Sequence, residues 1–84
     1  MGRKEEDAAL ARALLAGEVV ADLGSDWSVR SLADVARELG WSEDKTVERI
    51  RALDPSTEAL GAEKSARGWR TYARLTGPLA GLVD

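Results

Sequence analysis

Apolar residues recur at helical spacing through the first two thirds of the chain. The first such segment covers residues 5–23, and three carboxylates stand in its opening turn, where negative charge suits the helix dipole. Gly17 interrupts the segment, and an interior glycine costs about 1 kcal/mol relative to alanine. The pattern therefore predicts a first helix over residues 5–23 that bends or stops at Gly17.

Two shorter helical segments carry capping signals at their ends. Ser31 precedes Leu32–Leu39, an acidic residue follows it three positions later, and Gly40 stands where a left-handed residue ends many helices. Ser42 is the predicted N-cap of the next helix, which ends before Pro55 because the residue before proline avoids the helical region. Two short helices joined by such a tight turn form a helix-turn-helix pattern.

The last third of the chain alternates between apolar and polar positions. Residues 57–63 alternate weakly, residues 64–68 are polar and end in glycine, and residues 69–76 alternate with Trp69, Thr71, Ala73 and Leu75 on the inward side. The pattern predicts a β-hairpin, followed by an apolar tail that forms one helical turn. Residues 27–30 are a candidate for an additional short strand.

Composition limits the chemistry that this chain can perform. With 84 residues it forms one small domain, which leaves no room for a deep substrate cleft beside the core. It has no Cys and no His, so zinc-finger sites, disulfides, thiol nucleophiles and imidazole bases are excluded. No calcium-type loop or phosphate-binding glycine loop is present in the sequence. We therefore expect a protein that is not an enzyme, without catalytic residues, cofactor or metal.

Neither a membrane nor a secreted location is indicated. No stretch approaches the ~20 apolar residues needed to span a bilayer. The first seven residues are too acidic for a signal peptide. The expectation is a cytoplasmic protein that does not bind membranes.

Charge is distributed unevenly along an acidic chain of net charge −3. Residues 1–24 sum to −2 and residues 25–60 to −3, whereas residues 61–84 sum to +2. The positive charge is thus concentrated in the predicted hairpin, where it suits contact with a phosphate backbone or a minor groove.

Residues 31–42, the apolar positions Val47, Ile50 and Leu53, and residues 68–76 together resemble bacterial and archaeal winged helix-turn-helix transcription regulators. The resemblance implies an α+β fold, mostly α, in which three helices precede a C-terminal β-hairpin wing. A single winged helix domain would then occupy residues 1–84. Its helix-turn-helix would lie at about 31–53, its wing at about 57–76 and its apolar tail at 78–84.

The resemblance also implies a partner, double-stranded DNA, for a transcription regulator or architectural factor. In that family the helix after the tight turn enters the major groove and the wing lies beside it. The nucleic-acid contacts implied here are Lys45, Glu48, Arg49 and Arg51 on the third helix and Lys64, Arg67, Arg70, Tyr72 and Arg74 on the wing.

A winged helix module that docks a protein is the alternative. Asp44 and Glu48 lie one turn apart on the outward face of the third helix, and carboxylates facing phosphate lower affinity for DNA. The cations of that helix could equally pair with acidic neighbours. The acidic helix favours a protein partner, and the basic wing favours DNA.

The apolar residues of the first helix and of the tail also predict how the chain assembles. The first helix has a second side of leucine and small residues, and the tail is apolar. Exposed together they would form a large apolar patch, which favours a homodimer with an interface of Leu10, Leu14, Leu79, Leu82 and Val83. The competing interpretation is that the tail packs across this side within one chain.

Overall fold

A computed structural model describes residues 2–22, 24–53, 60–66 and 68–83. These residues form three α-helices and a four-stranded antiparallel sheet. The helices are α1 (Arg3–Leu15), α2 (Leu32–Leu39) and α3 (Glu43–Leu53). The strands are β1 (Glu18–Asp22), β2 (Ser25–Ser31), β3 (Leu60–Ser65) and β4 (Gly68–Arg74), and a 3-10 helix (Pro78–Leu82) follows them.

The described helices lie on one face of the sheet. Its strand order is β1-β2-β4-β3, so β2 and β4 are central. Ser28, Thr71 and Ala73 face α1 and α2 and are completely buried. Because side chains alternate along a strand, their neighbours lie on the opposite face, which we call the open face. Its central residues are Val20, Trp27, Val29, Arg70, Tyr72 and Arg74.

The first helix ends at Leu15, so the predicted stop near Gly17 is confirmed, whereas the helical continuation to residue 23 is wrong because the chain returns as β1. The Gly17 N–H donates to Ser28 Oγ at 2.7 Å, and that hydroxyl donates to the Leu14 carbonyl, also at 2.7 Å. The residues that follow include two β-branched valines, which suit the β1–β2 hairpin. The expected sheet of two or three strands therefore gains a fourth at its edge.

The capping predictions for α2 and α3 are confirmed. The Ser31 hydroxyl accepts from the Asp34 N–H at 3.4 Å, and Gly40 adopts the left-handed conformation with φ 71°. Ser42 Oγ accepts from the Lys45 N–H at 3.1 Å. Each cap satisfies a backbone group that the helix end leaves without an intrahelical partner, so local sequence defines both helices.

The hairpin prediction is confirmed for the described residues, and residues 54–59 and 67 lie outside them. Strands β3 and β4 pair from Leu60↔Ala73 to Ser65↔Gly68. The candidate strand at residues 27–30 is also confirmed, as part of the longer β2. Trp69 lies on the predicted inward side by the alternation of β4, yet it is 44% exposed.

The apolar tail completes the core of the chain itself. Leu10 and Leu14 are fully buried, and Leu79 in the 3-10 helix is 2% exposed among them. These three leucines are not surface positions, which corrects the interface drawn from the sequence. Leu82 remains 40% exposed, and Val83 packs partly against the core. The tail thus covers α1 within one chain.

Among the described residues, no helix is long and apolar enough to cross a membrane.

Candidate nucleic-acid interface

The two basic residues in the middle of α3 are bound to α1. Arg49 donates from Nη1 to Glu6 Oε1 at 2.8 Å and from Nη2 to Asp7 Oδ1 at 2.9 Å, and its side chain is only 15% exposed. Lys45 Nζ lies 3.4 Å from the other oxygen of Glu6. Both cations were predicted to contact DNA, and in the structure both pair with carboxylates of α1, although the Lys45 side chain remains 44% exposed.

Trp41 lies beneath these two cations. Lys45 Nζ is 4.6 Å from the centroid of the indole ring, and Arg49 Cζ is 5.8 Å from it. Cations within about 6 Å of a ring face are attracted to it. Trp41 also packs against the core, as predicted, so it joins the turn between α2 and α3 to the ion-pair cluster.

The ion pairs between α1 and α3 shift the pKa values of Glu6 and Arg49. Hydrogen bonds from Arg49, aided by Lys45, hold the pKa of Glu6 below its ordinary value. The hydrogen bonds to Glu6 and Asp7 raise the pKa of Arg49 in turn. Both shifts favour the charged forms, so this contact between α1 and α3 stays ionised at neutral pH.

The outward face of α3 is acidic. Glu43, Asp44 and Glu48 are exposed there, and Arg51 is exposed nearer the C-terminal end of the helix. Because the middle cations are occupied by α1, the charge that α3 presents to solvent is mostly negative. A negative helix face opposes insertion into a groove lined by phosphates.

The hairpin divides its predicted contact residues between two faces of the sheet. Lys64 lies opposite Trp69, on the side of the helices, and it is exposed. Arg70 lies opposite Glu63 on the open face, which it shares with Tyr72 and Arg74 by the alternation of β4. Arg67 lies outside the described residues. The predicted wing residues thus do not form one surface.

Two of the open-face residues make contacts within the protein. The Tyr72 hydroxyl donates to Glu63 Oε1 at 2.8 Å, and this carboxylate raises the pKa of Tyr72 above its ordinary value. The Arg74 guanidinium lies 5.1 Å from the centroid of Trp27. Of the predicted hairpin contacts that the structure describes, Lys64 and Arg70 are the exposed cations.

Arg30 is a structural residue that sequence reasoning missed. Its Nη1 donates to the Ala13 carbonyl at 2.6 Å and to Glu38 Oε2 at 3.0 Å, and its side chain is 17% exposed. A cation at the C-terminal end of α1 complements the helix dipole. Its signal in the sequence was a basic residue at a position of β2 that faces the helices.

The described residues hold no group of three or more acidic, His or Cys side chains placed to bind a metal ion.

Comparisons of the chain with family models, curated proteins and solved structures found no match. The geometry and charge of the surfaces above are therefore the basis for assigning a function.

Proposed function

We propose that the protein is a non-enzymatic winged helix domain that binds double-stranded DNA through its β3–β4 hairpin, while α3 stays outside the major groove. One observation carries the proposal: Lys45 and Arg49 of α3 are paired with carboxylates of α1, whereas Lys64 and Arg70 on the hairpin are exposed. Positive charge is available to phosphates at the wing and is scarce on the helix.

The order of elements supports a winged helix. Helices α2 and α3 are joined by a tight turn at Gly40, and the hairpin that follows them pairs through β4 with β2. Strand β1 is an addition at the edge of the sheet, beyond the three strands expected. In this account α3 serves mainly as a core element, through the buried residues Thr46 and Ile50.

Binding through the wing would be largely independent of DNA sequence. Lys64, next to the hairpin turn, would approach phosphates or the minor groove. Phosphate contacts position a protein on the duplex, but they carry no sequence information directly. This mode suits an architectural factor, or a regulator whose target is chosen by another component.

A titration with random-sequence duplex DNA at several salt concentrations tests the proposal. Each phosphate contact contributes about 0.9 to the slope of log affinity against log salt, so Lys64→Ala should weaken binding and flatten this slope by about that amount. Arg12→Ala is the matched control, because Arg12 is an exposed cation of α1 away from the hairpin. Equal losses in both variants, or no loss with Lys64→Ala, would remove the hairpin from the interface.

A protein-docking module is the second candidate, and the acidic face of α3 favours it. Glu43, Asp44 and Glu48 are exposed together and would attract a basic partner. If the wild-type protein failed to bind random duplex even at low salt, this second candidate would replace the first.

A further inference from the structure

The open face of the sheet is an apolar and aromatic surface with charges at its margins. Val20 is 41% exposed, and Trp27, Val29 and Tyr72 are half-buried. The strand register joins Val20 to Trp27 and Val29 to Tyr72, so the four side chains form a continuous patch across three strands. Small monomeric domains rarely leave so contiguous an apolar patch exposed without an interaction to cover it.

We propose that a second copy of this chain packs on the open face, sheet against sheet. In a two-fold dimer each face meets its own counterpart, so the face must be self-complementary. Packed sheets lie about 10 Å apart with side chains of the two faces interdigitated. The aromatic side chains of β2 and β4 would then form the centre of the interface.

The charges of the open face favour a second copy over nucleic acid. Two cations, Arg70 and Arg74, are balanced by Glu18 and Glu63 on the outer strands. Among the side chains that the structure describes on this face, two cations stand against two carboxylates, so each cation can pair with a carboxylate of the other copy. A phosphate backbone would meet two carboxylates with no excess of positive charge. Trp, Tyr and Arg are also the residues that contribute most of the binding energy at protein interfaces.

The size of the face suits a dissociable dimer. Four strands at a spacing of ~4.8 Å and a rise of ~3.3 Å per residue give a face of roughly 19 by 20 Å. Its projected area of roughly 400 Å² is smaller than the roughly 800 Å² per partner of a standard interface, which indicates weak association. We therefore expect association in the micromolar range.

Edge-to-edge pairing of two β1 strands is a weaker arrangement. Antiparallel pairing centred on Val20 would set Glu18 of one copy opposite position 22 of the other, which is an aspartate. Like charges directly opposite each other destabilise a strand pair.

The dimer would leave Lys64 accessible to DNA but would turn Arg70 toward the second copy, and it does not depend on DNA binding. Lys64 lies on the helix side of the hairpin, away from the open face. Two hairpins in one dimer would offer two DNA contacts to the same duplex.

Adjacent valines of β1 provide a matched pair of variants. Val20 lies on the open face, whereas Val19 lies on the other side of the same strand and is 60% exposed. Because both are exposed, Val20→Lys and Val19→Lys should each leave the fold intact, which the far-ultraviolet circular dichroism of both variants verifies. Sedimentation velocity of the intact chain over a dilution series to high micromolar concentration then reports its mass.

The wild type and Val19→Lys should approach twice the 9.0 kDa of the chain, and Val20→Lys should stay at 9.0 kDa. The dimer should persist at about 1 M salt, where the Debye length is only ~3 Å, because its centre is apolar. A wild type of 9.0 kDa at high micromolar concentration, or equal dissociation of both variants, would overturn the proposal. A monomeric wild type whose oligonucleotide binding is weakened by Val20→Lys but not by Val19→Lys would also overturn the proposal. The open face would then bind nucleic acid.

Discussion

Arg49 on α3 donates hydrogen bonds to both Glu6 and Asp7 on α1, at 2.8 and 2.9 Å, across 43 and 42 positions of sequence. This pairing joins the beginning of the chain to the helix that the sequence suggested as a DNA reader. Arg49, which the sequence suggested as a DNA contact, therefore holds two helices together. The charge that α3 exposes besides its paired cations comes from three carboxylates and Arg51, so it is mostly negative.

Replacing Arg49 by alanine should lower the melting temperature by a few degrees, because Glu6 and Asp7 lose their shared partner beside a half-buried Trp41. Arg51→Ala is the matched control on the same helix: Arg51 is exposed, and its loss should leave the melting temperature nearly unchanged. Thermal unfolding followed by circular dichroism measures both variants. Equal melting temperatures in the two would show that the ion pairs of Arg49 contribute nothing to stability.

The acidity of Glu6 predicts how stability depends on pH. Its pKa is lowered in the folded protein, so its contribution is present above the ordinary carboxyl value of 4.5 and is lost as the pH falls through the folded value. Glu6→Gln lacks this titration and should lose less stability than the wild type between neutral and acidic pH. Urea unfolding at both pH values tests this, and parallel losses in the two proteins would contradict it.

Local signals explain which parts of this fold could be predicted. Ser31, Gly40 and Ser42 cap α2 and α3 through neighbours in the sequence, so residue types alone indicated both helices. Strand β1 could not be predicted in the same way. Val19 and Val20 follow an alanine-rich segment, and their spacing fits a continuation of the helix as well as a strand. The turn at Gly17 depends on a long-range contact, the hydrogen bond from its N–H to Ser28 on β2.

The candidate site was less predictable than the fold for a related reason. A cation on an outward helix position has the same sequence signature whether it binds phosphate or a distant carboxylate. The partners of Lys45 and Arg49 stand on α1, far away in the sequence, so no local pattern identifies them. The division of Lys64 and Arg70 between two sheet faces followed from alternation once the register was known.

Gly17→Ala should destabilise the protein by about 1–3 kcal/mol, the usual cost of overpacking. A Cβ at this position would lie 2.8 Å from Ser28 Oγ and closer still to Val29 and Arg30. Gly81→Ala serves as the control, since a Cβ there meets nothing within 4 Å and the backbone φ is not positive. Chemical denaturation should show a loss for Gly17→Ala alone, and matching midpoints for the two variants would contradict the close packing of β2 on the turn.

The tail offers a similar contrast. Leu79→Ala removes a side chain that is 2% exposed and should cost about 2–5 kcal/mol, whereas Leu82→Ala, 40% exposed, should cost much less. Chemical denaturation of both variants gives the two values. A small loss for Leu79→Ala would mean that the tail does not pack on α1 within the chain.

Removing a carboxylate from α3 tests the proposed DNA-binding mode most directly. Glu48→Gln is compared with the wild type in titrations of random-sequence duplex at low salt, with Glu5→Gln on α1 as the control for the change in net charge. If binding occurs through the hairpin while α3 stays outside the groove, both variants should change the affinity equally and only slightly. A clear gain in affinity for Glu48→Gln alone would place α3 against the phosphates and contradict the account.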